Sequence, residues 1–111
     1  MKKSITPRGF GLIEFTDDYG IECSLQKSSS VTDRIWLGPD KADPKILASK
    51  AHQFGVETNE TTGWVDYPVP DEVSMTTRMH LSREQVAELL PYLHRFVETG
   101  DITIPETSYY E

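Results

Sequence analysis

Between Leu81 and Ser82 the periodicity of the chain changes. Before the junction, Met75, Thr77, Met79 and Leu81 alternate with Ser74, Thr76, Arg78 and His80, the period of two that a strand with one polar face shows. After it, Val86, Leu89, Leu90, Leu93, Phe96 and Val97 recur at steps of three and four, with Glu84, Glu88, Arg95 and Glu98 on the other side, the pattern of an amphipathic helix. Ser82 followed three residues later by Gln85 is a capping box, and Gly100 supplies the stop. A strand that enters a helix without a loop predicts that the helix lies back over the Met75, Met79 and Leu81 face. Arg78 and His80 then belong to the opposite face. Pro91 removes a backbone donor in the helix interior, so a bend near residues 87–91 is expected rather than two helices.

The rest of the chain reads as antiparallel sheet. Residues 10–15 and 21–26 are strand-like and flank Thr16, Asp17, Asp18, Tyr19 and Gly20, a turn in which Gly20 supplies a positive φ. In the second strand Ile21, Cys23 and Leu25 point to the core, and Glu22, Ser24 and Gln26 to the polar side. Ile35, Trp36 and Leu37 form a short strand that Gly38 and Pro39 end. Residues 44–54 suit a short helix, with Asp43 as N-cap, Pro44 at its first position and Gly55 past its end; residues 38–63 alternatively form a long insertion loop. Residues 63–68 are an edge strand, since Pro68 and Pro70 cannot donate to a ladder. Asp101 to Pro105 adds a brief strand before the end frays. The expected fold is α+β, a small antiparallel sheet packed against the C-terminal helix. It forms one domain over residues 1–111, with residues 1–8 and 105–111 flexible.

Composition narrows the function classes. Eighteen Asp and Glu against eleven Lys and Arg give a formal charge of −7, which opposes general nucleic-acid binding. One cysteine, Cys23, cannot form an internal disulfide, and no stretch approaches a membrane span. A cytoplasmic protein without a membrane partner is expected. His52, His80 and His94 fall on three separate elements without metal-ligand spacing, so neither a metal nor another cofactor is expected. Ser28, Ser29 and Ser30 lack a nucleophile-elbow frame, and Gly9 and Gly11 lack a phosphate-loop pattern. No catalytic residue is assigned.

One constellation remains. If the two polar strand faces pair, Arg78, His80, Gln26, Lys27, Ser28 and Ser29 converge as donors suited to a phosphate or carboxylate, with Trp36 as a stacking surface and Arg34 as a further cation. The solvent face of any half-buried sheet has a similar composition.

The segments FTDDYG at 15–20, CSLQKSS at 23–29, IWLG at 35–38, TRMHL at 77–81 and FVETG at 96–100 resemble those of a group of small uncharacterised proteins encoded by phages, prophages and plasmids. The resemblance covers most of the chain but brings no activity and no binding residue. It implies a non-enzymatic accessory protein that acts in the host cytoplasm by stoichiometric binding, with an anti-defence role. Such a protein either sequesters a signalling nucleotide, through Arg78, His80, Lys27 and Arg34 in a homodimer, or grips a host protein through its acidic surface and Trp64, Tyr67, Tyr109 and Tyr110. The alternatives are a small hydrolase or nuclease-like enzyme using Glu22, His80 and a hydroxyl, and a virion assembly protein.

Overall fold

The structure, a computed structural model, describes residues 1–104. Strands β1 (Lys2–Ile5), β2 (Gly11–Thr16), β3 (Glu22–Lys27), β4 (Arg34–Pro39) and a later strand, Met79–Ser82, form one antiparallel sheet in that order. Between β4 and the last of these, β5 (Lys45–Leu47) and β6 (Trp64–Asp66) pair as a separate two-stranded sheet. Met79–Ser82 is therefore β7, and helix α1 (Arg83–Thr99) follows it directly. The chain has an α+β fold. Residues 2–5, expected to be part of a flexible lead, form a sheet edge instead, with Lys2 opposite Glu14 and Ser4 opposite Leu12.

The β2–β3 hairpin forms through the turn chemistry its residues carry. Asp17 Oδ1 accepts from the Tyr19 and Ile21 amides, both at 2.9 Å, and Gly20 takes a φ of 85°. Alternation then sends Cys23 to one face, where it is 5% exposed. Ile21 precedes the strand and stays exposed, against the expectation that it faces the core.

Residues 44–54 correct the reading of an α-helix capped by Asp43. Lys45–Leu47 is extended because it pairs with Trp64–Asp66, and a 3-10 helix, Ala48–Phe54, begins after Leu47. In a 3-10 helix residues three apart eclipse, and it is Ala48 and Ala51 that are buried, while Phe54 is exposed. The expected stop at Gly55 is present, at φ 78°. Lys45 bridges Asp43 and Asp66 across this small unit, and the two carboxylates raise its pKa.

The strand expected over residues 74–81 is shorter, Met79–Ser82. Its ladder on β4 ends at Leu37 opposite Met79. Beyond that pair β4 continues through Gly38, at φ 144°, and Pro39, which has no N–H to donate. Residues 101–104 form no ladder either. Asp101 instead accepts from the Thr103 amide at 3.1 Å, and its backbone hydrogen bonds hold its carboxyl below the usual range.

Helix α1 is capped as the sequence predicts. Ser82 Oγ accepts from the Gln85 amide at 3.1 Å, Gln85 Oε1 accepts from the Ser82 amide at 2.9 Å, and Gly100 closes the helix at φ 80°. One helix runs through Pro91, where Ala87 and Pro91 are exposed and water can take the freed Ala87 carbonyl. Its packing differs from the expectation. None of its residues is buried, and a hollow of about 480 Å³ lined by Ile35, Leu81, Val86, Ala87 and Leu90 opens between it and the sheet. No large side chain is fully buried among the described residues, and the radius of gyration is 19.3 Å, against about 13 Å for a compact chain of this length.

Candidate functional site

Register assembles the polar face of the sheet. Gln26 stands opposite Trp36, and Trp36 opposite His80, so these three form a row across β3, β4 and β7. In the next row Ser24 stands opposite Gly38. Past Gly38 runs the backbone of Arg78, close enough that a Cβ on Gly38 would lie 3.1 Å from the Arg78 Cα and from the Thr77 carbonyl. A glycine inside a strand commonly marks such an approach.

The side chains of both rows interlock. Arg78 Nη1 donates to Gln26 Oε1 at 2.8 Å and to Ser24 Oγ at 3.2 Å, and its guanidinium carbon sits 5.5 Å from the centre of the Trp36 ring. His80 stacks on Trp36 with centroids 4.0 Å apart and planes at 21°. Its Nε2 lies 2.9 Å from Ser28 Oγ. Ser24 Oγ donates to Asp40 Oδ1 at 2.6 Å, and Ser28 Oγ also accepts from the Ser30 amide at 3.2 Å. Ser24 and Ser28 are 3% and 4% exposed, so the hydroxyls form a buried floor under the half-exposed Arg78 and Trp36.

Of the seven residues the sequence singled out, Arg78, His80, Gln26, Ser28 and Trp36 come together. Lys27 does not, since alternation puts it on the apolar face, where Nζ pairs with Asp33 at 3.5 Å and donates to the Ser28 carbonyl. Ser29 is exposed in the loop beyond β3. Arg34, the further cation, turns to the Asp33 carbonyl. Sequence reasoning missed Asp40 and the role of Gly38. The Gly38-Pro39 pair reads as the end of a strand, whereas β4 continues through both; Asp40 carried no signal.

Chemically the cluster offers a guanidinium with its Nη2 and Nε free of hydrogen bonds among the described residues, beside a fixed aromatic surface. The Ser28–His80 pair has the spacing of a nucleophile and base, but Ser28 is buried and no carboxylate bonds the far imidazole nitrogen among the described residues. Glu22 stands four residues along β3 from the row of His80, about 13 Å of strand. The hollow at Leu81 and Leu90 and the hollow at Tyr67 and Met75 are not lined by Trp36, Arg78 or His80. Among the described residues no helix is long and apolar enough to cross a membrane, and no three His, Cys, Asp or Glu gather as a metal site. No protein-family model, curated protein or solved structure matches the chain.

Proposed function

We propose that the chain acts without catalysis, as a stoichiometric binding protein that grips a host protein through the Arg78–Trp36–His80 surface. The observation that carries this reading is the preorganisation of the cluster. Arg78 is held by Gln26, Ser24 and Trp36, and His80 by Trp36 and Ser28, so little side-chain entropy remains to be lost on binding. Trp and Arg are the residue types that most often dominate protein interfaces when fixed over a dry floor. A carboxylate of the partner takes the free guanidinium donors, and an apolar side chain covers Trp36. The role implied by the resemblance, an anti-defence factor of phage or mobile-element origin working in the host cytoplasm, fits this mode of action.

Sequestration of a signalling nucleotide is weaker on two grounds. Small-molecule sites are concave, whereas the cluster lines neither the hollow at Leu81 and Leu90 nor that at Tyr67 and Met75. The cationic set such a ligand needs on a chain of charge −7 is also incomplete, because Lys27 and Arg34 are engaged at Asp33. Calorimetry against a panel of cyclic nucleotides separates the two: the protein-binding reading predicts no heat, and saturable heat lost in Arg78→Ala would replace it with sequestration. The 2.9 Å contact between His80 and Ser28 favours a hydrolase as the second reading, and labelling of Ser28 by a fluorophosphonate would support it.

A further inference from the structure

The sheet face opposite the cluster and the helix that hangs beside it remain uncovered. Ile13, Phe15, Leu25, Ile35 and Leu37 are only half buried. Along α1, Leu90, Leu93 and Phe96 are 55%, 55% and 56% exposed. The chain exposes 9306 Å² for a mass of 12.6 kDa, where a folded monomer of that mass exposes about 6,200 Å². A standard interface covers about 800 Å² per partner, and obligate homodimers reach about 2,500 Å². An excess of about 3,000 Å² is thus of the size that an obligate interface removes.

Charge limits where a second copy can dock. The chain carries −7 overall, so two copies repel unless they meet where charge is balanced. Helix α1 is such a place: Arg83 and Arg95 stand against Glu84, Glu88 and Glu98, a net of −1. Its pattern is also self-complementary. If two such helices run antiparallel about a two-fold axis near Pro91, Leu90 of each meets Leu93 of the other and Val86 meets Val97, while Glu88 and Arg95 stay on the solvent side. A two-fold interface requires this reciprocity.

We infer that two copies of this chain pair through α1 and the apolar sheet face, closing the hollow at Ile35, Leu81 and Leu90 with apolar side chains of the second copy. The surface is distinct from the Arg78–Trp36–His80 cluster and does not depend on that reading. Light scattering on the full chain during gel filtration tests it. The expected mass is about 25 kDa, twice that of one chain, and Leu93→Glu reduces it to that of one chain. Because Leu93→Glu could also unfold the helix, Val97→Glu provides the second arm, at a stripe position 82% exposed in the single chain. Val97→Glu weakens association at least about tenfold by setting a carboxylate against Val86 of the second copy, whereas Glu88→Arg, on the solvent side, leaves it unchanged. A wild-type mass of 12.6 kDa at about 100 μM, above the dissociation range of stable dimers, would overturn the proposal, as would a dimer indifferent to both Leu93→Glu and Val97→Glu. So would a monomer that binds an apolar dye only after residues 105–111 are removed, since that result would assign the face to the chain's own tail.

Discussion

His80 stacks on Trp36 at a centroid distance of 4.0 Å while its Nε2 meets the buried Ser28 hydroxyl at 2.9 Å. One imidazole thereby fixes the indole on a floor of buried hydroxyls. Because an imidazole at this distance quenches indole emission, His80→Leu should raise the fluorescence of Trp36. The measurement is made in a Trp64→Phe background, since Trp64 is 67% exposed and would contribute its own signal. Unchanged emission would mean that the two rings are not stacked in solution.

Arg78 links β3 to the chain entering β7 through Gln26 and Ser24. Arg78→Ala should lower unfolding stability by about 1–2 kcal/mol, from lost hydrogen bonds and the contact with Trp36. Arg78→Lys should recover part of it, because one nitrogen, Nη1, serves both acceptors and an ammonium can do the same, while the planar contact with Trp36 is lost. Urea denaturation of the three proteins provides the comparison.

Gly38 marks where the fold has no room. Its φ of 144° and the 3.1 Å approach of the Arg78 Cα and the Thr77 carbonyl to any added Cβ predict that Gly38→Ala costs about 1–3 kcal/mol. The same change should displace Arg78 from Gln26, so its signature is a stability loss accompanied by altered Trp36 emission. Gly11→Ala, at an edge position with open space around it, serves as the control.

How far the sequence revealed the site follows from these residues. Alternation alone puts Ser24, Gln26, Arg78 and His80 on one face, and the capping pattern at Ser82 and Gln85 starts α1 where the structure has it. Lys27 was misplaced because it was read with the serine loop, although β3 runs through it and parity sends it to the other face. Residues 48–54 misled because steps of three fit both a 3-10 helix and an α-helix. The helix stripe misled in another way: an apolar periodicity states that a surface needs cover, not what covers it. Tyr109 and Tyr110, read as contacts for a partner, lie outside the described residues, as does the expected flexible segment 105–111.

Burial, with Asp17 and Asp40 nearby, pushes the Cys23 thiol above its ordinary pKa. The folded chain should therefore react with iodoacetamide more slowly than the same chain in denaturant. A raised folded-state pKa also sets the sign of the pH effect. The contribution of Cys23 to stability is full below the ordinary thiol pKa and declines as pH rises through and beyond it. Cys23→Ser should flatten this alkaline decline in a series of thermal melts.

Should the chain be a hydrolase, Ser28 would have to be reached by substrate, yet it is 4% exposed. A fluorophosphonate probe is accordingly expected to leave the protein unmodified by mass spectrometry. Labelling that disappears in both Ser28→Ala and His80→Ala would reverse the assignment.

The central claim is that Trp36 and Arg78 form the gripping surface for a host protein, and affinity capture from extracts of the cells in which the chain is naturally made tests it most directly. Wild type, Trp36→Ala and Arg78→Ala are compared after each variant has been shown to fold. The account predicts one protein retained by the wild type, co-eluting with it at a fixed stoichiometry in gel filtration and lost with either substitution. Retention of the same protein at undiminished stoichiometry by both variants, or no retained protein at all, would contradict it.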